Sequence, residues 1–222
     1  VIFFSCLGAL LMTSLIYAMV RLYNEREERL NGIVFGDIKS LLLRNIKRLF
    51  LMGIACSFLF IFAVIFIVLL AVLTPFTLIL TIPLLFAFMV PLALMAPIYL
   101  FEDISLGEAF AKTFRLGFAT WGGIFLILIV MGLIASVLQT IVSIPWYVIY
   151  IVKMIFTMSD GGATSSSVGL NFAQYLFSIL MLYGSYLSAI FGIVGLVYQY
   201  GHASEVVDSI TVESDIDNFD KL

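Results

Sequence analysis

Charge is scarce in this chain. Only 11% of its 222 residues are Asp, Glu, Lys or Arg, against about 25% in an ordinary soluble domain, while 63% are hydrophobic. A water-soluble fold of this size has no interior large enough to hide so much apolar side chain, and a disordered chain needs the opposite composition. The net charge of -3 leaves no electrostatic footprint for nucleic acid, so no nucleic-acid partner is expected. His202 is the single histidine, which removes paired-histidine mechanisms and His-rich metal sites. Cys6 and Cys56 lie in apolar runs without CxxC spacing. They read as small core hydrophobes rather than as a disulfide or zinc framework, and no cofactor is expected.

Long apolar runs are abundant instead. About twenty apolar residues cross a hydrocarbon layer about 30 Å thick, and residues 1–20 meet that requirement. They begin with Val inside an apolar stretch and lack a basic leader, so a membrane span is expected rather than a signal peptide, in a chain whose natural N-terminus lies upstream. Between Leu49 and Leu100 there is no charged residue. As one helix that stretch would be about 78 Å long, so it must fold back, and Thr74-Pro75 is the expected turn. The predicted spans are 1–20, 51–73, 76–100, 121–144, closed by Pro145, and 174–197. Residues 146–158 are too short to cross alone and read as an interfacial or re-entrant helix, with Trp146, Tyr147 and Tyr150 at the interface and Lys153 snorkelling.

The charge that exists is concentrated. Arg21, Glu25 and Arg29 recur at helical spacing, so the first helix should run past the membrane until Asn31-Gly32. Asp37 is a plausible N-cap for an amphipathic helix over 37–50, with Ile38, Leu41, Leu42, Ile46, Leu49 and Phe50 on one face and Lys39, Arg44, Lys47 and Arg48 on the rest. A second amphipathic helix is predicted over 105–119, opened by a Ser105/Glu108 capping box and supported by a Glu108/Lys112 pair. Arg44-Asn-Ile-Lys47 and Lys112-Thr-Phe-Arg115 sit at equivalent places, a weak sign of repeated helix-plus-hairpin units. Residues 1–203 form one transmembrane domain, and 204–222 form an acidic tail. Seven of the eleven basic residues fall between Arg21 and Arg48, which puts both amphipathic helices and the tail in the cytoplasm by the positive-inside bias.

The expected fold class is therefore all-α: a polytopic transmembrane helical bundle with two cytoplasmic amphipathic interfacial helices. Lys39, Arg44, Lys47, Arg48, Lys112 and Arg115 are the expected lipid-headgroup or interface residues, and topological anchoring would use the same set. Gly132 and Ser136, and Gly184, Ser188 and Gly192, make small-residue stripes suited to helix packing, within the chain or between copies in a homo-oligomer. Pro83, Pro91 and Pro97 are expected helix kinks, either for packing or in a broken substrate-binding helix. Ser165, Ser166 and Ser167 lack a His or Lys base and any GxSxG elbow, and the adjacent Glu102 and Asp103 point to different helix faces, so no catalytic residues are expected. Intramembrane charge, the usual mark of ion or proton pathways, is absent from mid-span positions.

The run Pro97-Ile-Tyr-Leu-Phe-Glu102-Asp103-Ile-Ser105-Leu-Gly-Glu108-Ala109-Phe110-Ala-Lys112-Thr113-Phe114-Arg-Leu, followed by Trp121, resembles a group of uncharacterised bacterial six-span membrane families. These are related to the membrane domain fused to some glycerophosphodiester phosphodiesterases. In that group a span ends at a proline, an acidic residue follows, and an amphipathic helix leads to a tryptophan. The resemblance implies an inner-membrane protein without assigned activity; the phosphodiesterase domain, and with it the group's known chemistry, is missing. The leading expectation is a non-enzymatic scaffold, partner-binding or lipid-interacting protein, with the bilayer and a membrane or cytoplasmic protein as partners. The alternative is a transporter or channel for a lipid-like or small apolar substrate, with a cavity near Pro83, Pro91 and Gly132.

Overall fold

The computed structural model describes residues 2–26, 29–74, 76–159 and 168–209. Among them are seven helices: α1 (Ile2–Glu25), α2 (Phe35–Leu73), α3 (Thr77–Leu92), α4 (Met95–Phe101), α5 (Leu106–Ala119), α6 (Trp121–Ser159) and α7 (Val168–Asp208). No strand occurs among the described residues. The fold is an all-α helical bundle, and five helices or helix pairs are long and apolar enough to cross a membrane: Phe4–Glu25, Phe35–Val72, Thr77–Phe101, Trp121–Met158 and Val168–Asp208. Their side chains point outward on a scale water would not permit. Phe58 is 71% exposed, Phe62 73% and Val72 79%, so a lipid solvent is required.

Helix boundaries depart from the sequence reading in four places, mostly because lipid offers the backbone no partner and a helix therefore continues wherever it can. The amphipathic segment 37–50 is not a separate helix but the first turns of α2. Asp37 is not the N-cap: the helix opens after Val34, and the Asp37 carboxylate at the third helical position accepts from the Val34 N–H at 3.5 Å and pairs with Arg26 at 2.9 Å. Pro145 does not end the fourth helix. α6 runs through it to Ser159 and absorbs the segment 146–158. α7 likewise extends past 197, and residues 204–208 of the expected tail are helical. α1 ends at Glu25, short of Asn31-Gly32, where Gly32 adopts φ 69°. Pro75, residues 160–167 with Ser165, Ser166 and Ser167, and residues 210–222 lie outside the described residues.

The chain divides into two compact units. Residues 129–192 form one of them, a helical hairpin in which α7 comes close to α6 at Gly184. A Cβ there would collide with Val142 Cγ1. Trp146 Nε1 donates to Ser178 Oγ at 2.9 Å, Gln139 Nε2 to the Met181 carbonyl at 3.4 Å, and Lys153 Nζ to Asn171 Oδ1 at 2.7 Å and Gln174 Oε1 at 3.0 Å. Lys153 thus finds two partners on α7.

Residues 1–128 and 193–222 form the other unit. Its core joins Val90, Leu94, Ile98 and Tyr99 of α3 and α4 to Ala109 and Leu116 of α5, Ile124 of α6 and Ala203 of α7. The expected third span is broken here. Pro97 has no N–H to give the Ala93 carbonyl, and its ring would clash with that carbonyl. The chain tightens to i→i-3 bonds, Ala93 to Val90 and Leu94 to Pro91, before α4 begins. Pro91 creates a similar deficit at Ala87, and Trp121 repairs it by donating from Nε1 to the Ala87 carbonyl at 2.9 Å.

α5 lies against this break at close range. A Cβ on Gly117 would stand 2.5 Å from Pro91 Cβ and 2.8 Å from Pro91 Cα. Gly117→Ala is therefore expected to destabilise the protein by about 1–3 kcal/mol. Gly132→Ala, where nothing lies within 4 Å of the added Cβ, should be neutral or stabilising by up to about 1 kcal/mol. Unfolding in detergent, followed by circular dichroism, checks both.

Candidate functional site

The C-terminus of α4 leaves carbonyls that no helical N–H reaches, and at an apolar boundary they need other donors. Two arginines supply them. Arg21 Nη1 of α1 donates to the Leu100 carbonyl at 3.2 Å. Arg48 Nη2 of α2 donates to the Tyr99 carbonyl, and also to the Ile104 carbonyl at 2.8 Å. The Arg48 guanidinium also lies 4.0 Å from the Tyr99 ring centroid, a cation–π contact. Only a planar fork with five donors can serve two carbonyls, a ring and a carboxylate together.

That carboxylate belongs to Asp103, which holds φ 55°, a left-handed conformation that Asp tolerates better than most residues. Its oxygens accept from Arg21 Nη2 at 3.1 Å, Arg44 Nη1 at 3.2 Å and Arg48 Nη1 at 3.4 Å. Its neighbour Glu102 faces elsewhere. Glu102 Oε2 pairs with Lys112 Nζ at 2.9 Å, and Oε1 accepts from Tyr200 O–H at 2.7 Å. Lys112 also reaches Asp208 at 2.8 Å, and Arg115 meets Asp208 at 2.6 Å. The two adjacent carboxylates therefore tie α1 and α2 on one side and α5 and α7 on the other.

Of the expected interface residues, Arg44, Arg48, Lys112 and Arg115 converge on Glu102, Asp103 and Asp208, while Lys39 and Lys47 are exposed. Lys112 does not pair with Glu108, whose carboxylate instead completes the capping box with Ser105. In each basic quartet the residue after the first cation is buried: Asn45 is 1% exposed and Thr113 0%. Of the expected packing residues, Gly184 and Ser188 are buried, whereas Gly132 and Ser136 are exposed and an added Cβ at Gly132 or Gly192 meets nothing within 4 Å. Pro83 and Pro91 lie inside α3, and Pro97 in the first turn of α4. Sequence reasoning named Arg21 only for its helical spacing and Asp103 only as one of two adjacent carboxylates, and did not pair them. They are 82 residues apart, and no local spacing reports such a pairing.

An apolar groove of about 500 Å³ is walled by α2, α3 and α5 through Cys56, Ala63, Ile67, Leu85, Phe88 and Phe114 among others. A smaller cavity of about 230 Å³, reaching Leu106 and Gly107 at the start of α5, shares Cys56, Leu59 and Phe110 with it. A third cavity, about 700 Å³, lies between α1 and α7 and mixes apolar side chains with Asn24, His202 and Glu205. Among the described residues no group of three or more His, Cys, Asp or Glu is placed to hold a metal ion.

No family model, curated protein or solved structure matches this chain.

Asp103→Asn keeps a residue suited to the left-handed turn but removes the charge that three guanidiniums share. A loss of about 1–3 kcal/mol is expected, read as a lowered unfolding midpoint in detergent. Asp103→Ala should lose more, because it strains the turn as well.

Lys112 gives a pH prediction. Burial pulls its pKa down, but its hydrogen bonds to Asp208 and Glu102 and their negative charge outweigh this and hold it above the ordinary lysine value, which is about 10.4. A raised folded-state pKa means that the stabilisation is fully present below the unfolded value and is lost as pH rises through the folded one. The stability gap between wild type and Lys112→Met, about 1 kcal/mol for this solvent-screened cluster, should be constant over neutral pH and shrink only above about pH 10.4. Unfolding midpoints measured across that range check it.

Proposed function

We propose that this chain is a non-enzymatic, multi-pass protein of a bacterial inner membrane that holds a lipid acyl chain in the groove between α2, α3 and α5. The carrying observation is the groove itself: about 500 Å³ with Thr81 as its one hydroxyl-bearing wall residue, inside the range of about 300–1,000 Å³ in which small-molecule sites fall. From Cys56 to Ile67, both on its wall, α2 rises about 16 Å, close to half of a hydrocarbon layer about 30 Å thick. One chain from one leaflet fits that depth.

Orientation follows from charge. The basic ends of α1, α2 and α5 meet at the same carboxylate cluster, and the positive-inside bias puts that end, with the C-terminus, in the cytoplasm. The resemblance of residues 97–121 to bacterial inner-membrane families supports the same placement. A transporter is the weaker reading, because none of the three cavities is lined by Pro83, Pro91 or Gly132.

Ala63→Phe fills the groove from its wall without touching the charged cluster. Native mass spectrometry of the detergent-released protein should show retained phospholipid on the wild type and at least a tenfold smaller bound fraction on the variant. Equal retention would overturn the groove as a lipid site.

A further inference from the structure

We propose that the lipid in this groove is a phospholipid whose phosphate is held by Arg44, with Arg48 behind it. This rests on the groove reading and adds the class of headgroup. Three observations carry it.

The first is a charge imbalance. Arg21, Arg44 and Arg48 share the one carboxylate of Asp103, and only Arg21 has a second acidic partner, Glu25 at 2.7 Å. Glu102 and Asp208 are already matched by Lys112 and Arg115. Exposed Lys47 stands one turn from Arg44 on α2, so this patch carries an excess of positive charge.

The second is a set of unused donors. Arg44 Nε and Nη2, and Arg48 Nε, are buried atoms without a hydrogen-bond partner. A buried donor left unpaired is costly, and several on neighbouring guanidiniums call for an acceptor with several oxygens. Nε and Nη2 of one guanidinium form the edge that binds phosphate bidentately. The Arg44 side chain keeps 39% of its surface exposed and is held by one ion pair.

The third is position. Arg48 donates to Ile104, and Leu106 and Gly107 line the smaller cavity, which shares Cys56, Leu59 and Phe110 with the groove. Three residues of chain span at most about 11 Å. Along α2, Arg48 stands about 12 Å above Cys56, which lines both cavities. Arg48 is therefore at the headgroup end of the slot, and Arg44 stands one turn, about 6 Å, further along α2. A free anion would leave the slot empty, and a hydrocarbon alone would leave the guanidiniums unpaired. A phospholipid satisfies both.

The test titrates delipidated full-length protein in detergent with phosphatidylglycerol, with diacylglycerol of the same chains and with inorganic phosphate, read by native mass spectrometry. Phosphatidylglycerol is expected to bind at least tenfold tighter than diacylglycerol. Arg44→Gln should bring the two within about threefold, and Arg44→Lys, which keeps the charge but loses the fork, should fall between. Diacylglycerol binding as tightly as phosphatidylglycerol, or an unchanged preference in a folded Arg44→Gln, overturns the headgroup assignment and leaves the groove standing. Insensitivity of both lipids to Ala63→Phe overturns the groove reading itself. Inorganic phosphate that binds at equal affinity without lipid marks a free-anion site, and a lipid-free dimer whose monomers alone take up lipid assigns the slot to a second copy; either result overturns the proposal.

Discussion

Backbone carbonyls without helical partners, at the edge of a medium that has no water to give them, govern this structure. The pair Pro91 and Pro97 breaks the third span, and the end of α4 exposes more carbonyls a turn later. In water each would be hydrated at little cost. In lipid each unpaired group costs several kcal/mol, so donors must come from elsewhere in the chain. Trp121 serves Ala87, Arg21 serves Leu100, and Arg48 serves Tyr99 and Ile104. Those donors sit on α6, α1 and α2, so closing the deficit also decides which helices meet.

The arginines that close it bring charge to a place that dislikes charge, and Asp103 answers by accepting from three of them at once. Its left-handed backbone turns the carboxylate toward α1 and α2, while Glu102, one residue earlier, reaches Lys112 and Tyr200. Two consecutive residues thereby hold opposite sides of the unit. The arrangement is asymmetric. The Glu102 side is balanced by cations in equal number, and the Asp103 side is not, which is why the surplus appears on α2 beside the groove.

Much of this was legible in sequence, but only the part that is local. The apolar runs gave the spans, because length against bilayer thickness needs no tertiary information. The Ser105/Glu108 capping box formed as its spacing predicts, since both partners lie within one turn. Boundaries were less legible. Pro145 reads as a stop in water, yet α6 passes through it, because leaving a helix inside lipid would expose more backbone than the single carbonyl that proline frees. The charged cluster was half legible. The cations were named from their pattern, but the carboxylates that Arg44, Arg48 and Arg115 meet lie 55 to 93 residues away, and an amphipathic pattern reports which face is polar without saying what faces it.

Small residues show the same limit from the apolar side. Spacing of four marks a stripe on which another backbone can come close, and Gly184 fulfils it against Val142. Gly132 belongs to an equally good stripe and meets nothing, while Gly117 closes a stripe with Ala109 and Thr113 that sequence reasoning passed over, and sits against the backbone of Pro91. The difference lies in the neighbour. Pro91 and Pro97 interrupt the third span beside α5, and there a side chain as small as a methyl group would collide with the backbone itself. The close fit at Gly117 and the guanidinium caps on α4 thus have one origin: both are what a broken helix demands of the elements packed against it when the surrounding medium offers no water to fill the gap.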